Sequence, residues 1–264
     1  MITLLTDFGY RDHYVASMKG VILSIAGDVT IVDISHGVPK FDVRAAAYVL
    51  GCAYKYFPPG TVHVVVVDPG VGTKRRAIAV RSKHYTFIGP DNGVLMLAAL
   101  NDGLQKVVSI ENRKYMLPRV SHTFHGRDIF APAAAYLAKG VPLEELGPEI
   151  NDYLVPEFAK PMVRRGEAEG EVIYVDDFGN CATNIRERDL EILGANYGDE
   201  LELNVSGRTL RVKLLPSFGW AKPGEPLLLI NSEGFLEIAI NLGNASSSLG
   251  IKPGEKVYVR VHES

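Results

Sequence analysis

The run Thr61 to Val67 is β-branched at every position but His63, and it constrains the fold more than any other segment. Branched side chains favour extended backbone. A run without polar alternation fits a central strand buried on both faces. It stops at Asp68-Pro69-Gly70-Val71-Gly72. Ile2 to Leu5 repeats the pattern and stops at Thr6-Asp7-Phe8-Gly9. Shorter strands are predicted over Thr30 to Asp33, Ala77 to Val80 and Tyr85 to Ile88. Helical spacing covers Tyr14 to Ile25, Val94 to Leu100 and Ile129 to Ala138. Asp42 has the chemistry of an N-cap for a helix through Tyr56, which Pro58, Pro59 and Gly60 stop. This β/α alternation predicts a three-layer α/β domain with a largely parallel sheet over residues 1–155.

The pattern then changes. Pro156, Pro161, Gly166 and Gly170 punctuate a stretch without clean periodicity, so 156–170 reads as a linker. Short strands follow: Glu171 to Val175, Glu200 to Val205, Arg208 to Leu214, Leu227 to Ile230, Phe235 to Ile240 and Lys256 to Val261. Ser206-Gly207 suits a tight hairpin turn. Residues 171–264 are therefore expected to form a smaller, mostly antiparallel β-barrel-like domain.

Charge and composition exclude several partners. Lys plus Arg is 28 against 31 for Asp plus Glu, a net charge of -3. No basic surplus offers itself to nucleic acid or an anionic membrane. The two cysteines, Cys52 and Cys181, have no CxxC spacing, which argues against a disulfide framework or a zinc cluster and fits a reducing compartment. No basic n-region precedes a long apolar run, and no stretch reaches the ~18 apolar residues of a membrane span. A cytoplasmic protein without nucleic-acid or membrane partners is expected, with no metal site, since no cluster such as HExxH occurs.

In open α/β sheets, ligands bind beyond the carboxyl ends of the strands. Asp7 and Asp68 each follow such an end and precede flexible residues. Either alone would serve as a turn cap; two at equivalent positions point to a site. Arg75 can reach back toward Asp68, whereas Arg76 reads as a solvated arginine. Gly70 and Gly72 lack the third glycine of a dinucleotide fingerprint, and no Gly-Lys-Ser/Thr of a P-loop follows. Asp7-Phe8-Gly9 and Asp177-Phe178-Gly179 spell the magnesium tripeptide of protein kinases, but no His-Arg-Asp loop accompanies them. His125, beside Gly126 and ahead of a helix, is placed to accept a proton or orient a water. His122 is its rival, and Asp128 reads as the helix N-cap. In the second domain, Asp176-Asp177-Phe178-Gly179-Asn180 and Asn231-Ser232-Glu233-Gly234 are polar turns.

Taken in order, these motifs carry a resemblance. Leu5-Thr6-Asp7-Phe8-Gly9, Asp68-Pro69-Gly70-Val71-Gly72, Gly89-Pro90-Asp91-Asn92-Gly93, Phe124-His125-Gly126-Arg127-Asp128, Phe178-Gly179-Asn180 and Asn231-Ser232-Glu233-Gly234 run from Thr6 to about Ala245. The chain resembles the S-adenosylmethionine (SAM) hydroxide adenosyltransferases, or SAM hydrolases, relatives of fluorinase and chlorinase. The resemblance implies that water attacks C5′ of SAM in line with the departing sulfur, giving adenosine and L-methionine. It implies an Asp68–Arg75–His125 set around that water. It places the ribose hydroxyls on Asp7, beside Phe8, and the adenine on Asn180. It places the methionine ammonium on Asp177 or Asp176 with Ser232 nearby, and counts Glu237 and Ile240 among the substrate contacts. It also implies a homotrimer with the pocket between neighbouring subunits, and no cofactor, SAM being substrate. The halogenases lack the Asp matching Asp68, which points to water as nucleophile. Two departures stand out. Glu233 occupies the place of the fluorinase Arg, so carboxylate binding does not carry over. Cys181 and Ala182 replace its Val and Trp, so purine stacking must come from elsewhere. Rival readings are a non-catalytic SAM or adenosine sensor, a SAM-dependent halogenase, and a metal-dependent phosphohydrolase built on Asp7, Asp68 and His125.

Overall fold

The computed structural model describes residues 1–156 and 160–261. It contains two compact units, Met1–Pro156 and Glu157–Ser264. The first runs β1 (Ile2–Thr6), α1 (Tyr14–Ala26), β2 (Ile31–Ser35), α2 (Val43–Ala53), β3 (Val62–Val66), β4 (Ala77–Ser82), β5 (Thr86–Pro90), α3 (Met96–Asn101), β6 (Leu104–Ser109) and α4 (Ala131–Ala138). The sheet order is β2-β1-β3-β5-β4-β6. β2, β1, β3 and β5 are mutually parallel, while β4 runs antiparallel to both β5 and β6. The sheet is thus mixed, with a parallel centre.

Every residue of β1 and β3 is buried, as an unalternating apolar run requires. Ile2, Leu4, Val64, Val66 and Ile88 pack with Met18 and Ile22 of α1 and the alanines of α4. α2 and α3 touch one another and reach β1, β4 and β6 from the other side, completing three layers. Asp42 caps α2, its carboxylate accepting the Ala45 N–H at 2.9 Å. The helix tightens into a 3₁₀ turn over Tyr54–Tyr56, where the prolines end it.

The second unit is a closed barrel. Its strands are β7 (Met162–Arg164), β8 (Glu167–Val175), β9 (Cys181–Arg186), β10 (Glu200–Val205), β11 (Arg208–Leu214), β12 (Pro226–Ile230), β13 (Phe235–Ile240) and β14 (Lys256–Val261), with α5 (Glu187–Leu193) and α6 (Ala245–Leu249) between them. The order β14-β10-β11-β12-β13-β9-β8 closes through a β14–β8 pairing, and β7 hangs on β8. All pairings are antiparallel except β11–β12. Closure removes sheet edges that would otherwise expose unpaired backbone. Ser206 and Gly207 both take positive φ, as a two-residue type I′ hairpin demands.

Three expectations change. The stretch 156–170 is not all linker: β7 and the start of β8 lie in it, because Gly166 turns a hairpin between them. β6, β9 and α5 were not expected, being short segments whose patterns are set by pairing and capping. Asp128 does not cap a helix. It is fully buried, inside a π-helical turn (Gly126–Phe130) that leads into α4. Its carboxylate accepts the Ser121 N–H and hydroxyl at 2.8 and 2.6 Å, and the Arg127 guanidinium at 2.7 Å. No described helix is long and apolar enough to cross a membrane.

Candidate active site

β1 and β3 are adjacent and parallel, with Thr6 opposite Val66. Asp7 and Asp68 therefore leave the same edge of the sheet, beyond the carboxyl ends of neighbouring strands. There they line a cavity of about 260 Å³ with Phe8, Lys40, Phe124 and His125.

Asp68 is held by Arg75. The Arg75 Nε donates to Asp68 Oδ1 and Oδ2 at 2.9 and 3.0 Å, and Nη2 donates to Oδ2. Both side chains are largely buried. The same Nη2 lies 2.9 Å from His125 Nδ1. A guanidinium only donates, so Nδ1 is the acceptor and neutral His125 carries its proton on Nε2. Protonating Nδ1 would set donor against donor. Burial and the Arg75 cation push the His125 pKa down, against smaller upward pulls from Asp68, the Ser121 backbone and Asp128. The three side chains implied by the resemblance are thus brought together, with Arg75 as the bridge.

The neighbouring candidates lie elsewhere. Arg76 is not a free solvated side chain: it bonds Asp91 and Asp152. His122 is exposed, and its contribution is its carbonyl. Gly72 sits at φ +75°, and a Cβ there would penetrate that carbonyl oxygen. Gly72 therefore locks the 68–75 loop against the 121–125 loop. Gly72→Ala combines a left-handed penalty of about 1–2 kcal/mol with that clash. It is expected to lower the denaturant midpoint and to reduce any turnover more than the stability loss explains.

Asp7 is anchored by the loop after β2. Its Oδ2 accepts the Phe41 N–H at 2.8 Å, and its carbonyl accepts the Lys40 ammonium. Phe41 is a non-glycine residue at φ 65°, a conformation sequence reading had no signal for. The Thr6 hydroxyl meets buried His36 Nδ1 at 2.7 Å and accepts the Phe8 N–H at 3.1 Å, which fixes the backbone around Asp7. Phe8, Tyr14 and Phe124 form an aromatic wall, with centroids 5.1–5.9 Å apart. Tyr14, Lys40, Phe41 and Phe124 were not singled out from the sequence as lining residues.

The remaining candidates belong to the barrel. Asn180 is buried, and Asp176 holds both its N–H (2.8 Å) and its amide nitrogen (3.0 Å). The backbone carbonyl of Asn180 accepts the Asp176 N–H at 3.0 Å, which leaves the side-chain Oδ1 and the second amide hydrogen available. Glu237 is buried and accepts Asn231 Nδ2 at 3.0 Å. Burial pushes its pKa up and the Asp176 charge adds to this, while the Asn231 bond opposes it. Asp177 and Ser232 are exposed, and Ile240 is buried at the end of β13. A larger depression of about 830 Å³ lies on the barrel wall along β7, β8 and β14. Its Arg164 and Arg260 are paired with Glu167, and Arg260 also with Glu202, so it presents self-neutralised charge. Among the described residues no group of three His, Cys, Asp or Glu is placed to hold a metal ion.

The N-terminal domain model of the SAM hydroxide adenosyltransferases matches residues 2–147, and the C-terminal domain model matches residues 170–258. The chain belongs to the SAM hydroxide adenosyltransferase family. Within that family it is 42% identical over 264 residues to a Thermus thermophilus protein named (R)-S-adenosyl-L-methionine hydrolase, covering 97% of this chain and 98% of the relative. A fluorinase of an Actinoplanes species is more distant, at 33% identity with 98% and 97% coverage. The solved structure of an uncharacterised conserved protein from Thermotoga maritima superposes with a TM-score of 0.94 at 43% identity, covering 98% of this chain and all of the other. For a SAM hydroxide adenosyltransferase, the α/β unit and the barrel thus account for the two matched domains in turn.

Proposed function

We propose that the chain hydrolyses S-adenosyl-L-methionine to adenosine and L-methionine, and that its substrate is the (R)-sulfonium epimer named for the Thermus relative. The observation that carries this reading is the Asp68–Arg75–His125 set beside the cavity at the sheet edge. The sulfonium leaves as a neutral thioether, so no general acid, metal or other cofactor enters the step. A water oxygen forms a bond to C5′, the C5′–S bond breaks, and its electron pair stays on sulfur. Holding that water about 3–3.5 Å from C5′ supplies the proximity term.

Asp68 is the group that grips the water and takes its proton as the C–O bond forms. His125 does not compete for that proton, because its Nδ1 lone pair is spent on Arg75. Its role is to hold the guanidinium, which in turn aims the carboxylate. Asp7 binds the ribose hydroxyls beside Phe8. Asn180 reads the adenine edge, aimed by Asp176. Glu237, Asp177 and Ser232 meet the amino-acid tail, with Ile240 packing beneath. We further propose that the working form is a cytoplasmic homotrimer in which the α/β unit of one chain serves the barrel of the next.

The test is a chromatographic time course with each SAM epimer separately, in oxygen-18 water containing EDTA and, in parallel, halide. Adenosine labelled at its 5′-oxygen with equimolar methionine, faster from the (R) epimer and without 5′-halogenated nucleoside, is the expected result. No turnover, with SAM or adenosine bound to the purified protein, would overturn hydrolysis in favour of a sensor. Loss of activity in EDTA would overturn the metal-free step.

A further inference from the structure

The motif Gly89-Pro90-Asp91-Asn92-Gly93 has no part in the chemistry above, yet it touches both ends of the loop that carries Asp68 and Arg75. Asn92 Nδ2 donates to the Val67 carbonyl at 2.9 Å, one residue before Asp68. Its Oδ1 accepts the Val94 N–H at 3.2 Å, which fixes the amide's orientation. Asp91 is buried and holds Arg76, one residue after Arg75. Its Oδ2 accepts Arg76 Nε and Nη2 at 3.0 and 2.8 Å, and its N–H donates to the Arg76 carbonyl at 2.9 Å. We propose that Asp91 and Asn92 are positioning residues: a two-point brace that clamps the 68–75 loop at its base and selects Arg75, rather than Arg76, to face Asp68.

The selection follows from strand geometry. Successive side chains in a strand point to opposite faces, and a slip of one residue exchanges them. Arg75 and Arg76 enter β4 with the same side chain, so nothing in the two residues themselves says which turns inward. Ala77 pairs with Pro90, and Arg76 continues that ladder opposite Asp91. The buried Asp91 carboxylate fixes the guanidinium of Arg76 on its side. Arg76 is further tied by Nη1 to Asp152 Oδ1 at 2.6 Å and by Nη2 to the Asp152 carbonyl at 2.7 Å. The other oxygen of Asp91 accepts the Leu154 N–H at 2.9 Å. With Arg76 anchored away, Arg75 is left to bridge Asp68 and His125. A bidentate arginine is sensitive to placement, and misplacement by about 1 Å can cost on the order of 10²-fold in rate.

The inference rests on the hydrolase reading for its kinetic consequence but not for its structural one, and the test separates the two. Asn92→Ala, Asp91→Asn and Arg76→Gln are made in the wild-type chain and in Arg75→Ala. In the wild-type chain, kcat for SAM is expected to fall about tenfold or more with KM within about twofold. In Arg75→Ala the same changes are expected to cost less than about twofold, since residues that act through one another are not additive. Equal losses in both backgrounds would overturn the proposal, because a merely structural contribution adds. The second readout is the imidazole titration of His125 by NMR, which needs no substrate. The charges facing that ring are Arg75, Asp68 and Asp128. When the brace is cut, Arg75 withdraws and the His125 midpoint is expected to rise. An unchanged midpoint in a folded variant would overturn the brace even if the protein hydrolyses nothing. Should Asn92→Ala fail to fold, Arg76→Gln, at a partly exposed side chain, carries the same test.

Discussion

Asp68→Asn is expected to reduce kcat for SAM by about 10²–10⁴-fold, the range that a positioned proton acceptor contributes, while adenosine still binds. Asparagine is the informative replacement. It keeps the shape of the carboxylate and one acceptor oxygen, but it cannot take a proton from water. Asparagine and alanine both remove the negative charge that faces the largely buried Arg75, a loss that costs about 3–5 kcal/mol for a buried pair. Alanine also removes the acceptor oxygen and the volume that hold the guanidinium in place, so stability is measured beside kcat in either variant. Adenosine affinity is the control, because the Asp7 anchor rests on Phe41 and Lys40, not on Arg75. Single-turnover rates and calorimetric titration with adenosine check the two halves. Turnover at the wild-type rate in Asp68→Asn would remove Asp68 from the chemistry and leave it as an anchor for Arg75.

The parts of this molecule legible in its sequence are those where one residue type forces one outcome. Thr61 to Val67 can satisfy its side chains only as a strand covered on both faces, and β3 is that strand. Asp42 before an apolar helical repeat is a cap, and it caps. Ser206-Gly207 between alternating strands is a hairpin, and both residues have positive φ. Where two residues of the same type compete, local pattern can name one of them, as it named Arg75, but it does not show what enforces the choice. Arg75 and Arg76 are such a pair, and the choice between them is made by Asp91, fifteen positions on, through a ladder that the sequence does not display. Asp128 shows the converse error. An Asp before an apolar helix has the look of a cap, but Ser121 donates its N–H and hydroxyl to that carboxylate from seven residues upstream, so the side chain turns inward. The strained backbone at Phe41 is invisible for a similar reason. What holds it is the Asp7 carboxylate, thirty-four positions away.

The same long-range logic makes a strong prediction at His63, the one break in the β3 run. Its ring lies under Phe57, Tyr85 and Phe87, with Nδ1 2.7 Å from the Thr3 hydroxyl and no partner for Nε2. Burial pushes its pKa down from 6.5 to about 4, with only a small opposing pull from Asp102. The folded state therefore binds fewer protons than the unfolded state between these values. Stability is complete above the unfolded pKa, is lost as pH falls from about 6.5 toward 4, and levels off below. One proton costs about 1.4 kcal/mol per pH unit across that window, or about 3 kcal/mol in total. His36 and His125 are also lowered by burial and add to the slope, so the His63 share must be isolated. Thr3→Val with His63→Phe does this by replacing both partners with apolar groups of similar shape, a change that can be close to neutral at high pH. Urea unfolding at half-unit steps from pH 7.5 to 4 is expected to show a slope shallower by about one proton in the double variant. Parallel pH profiles for the two proteins would mean that His63 takes up its proton at the same pH folded and unfolded, so that burial does not lower its pKa.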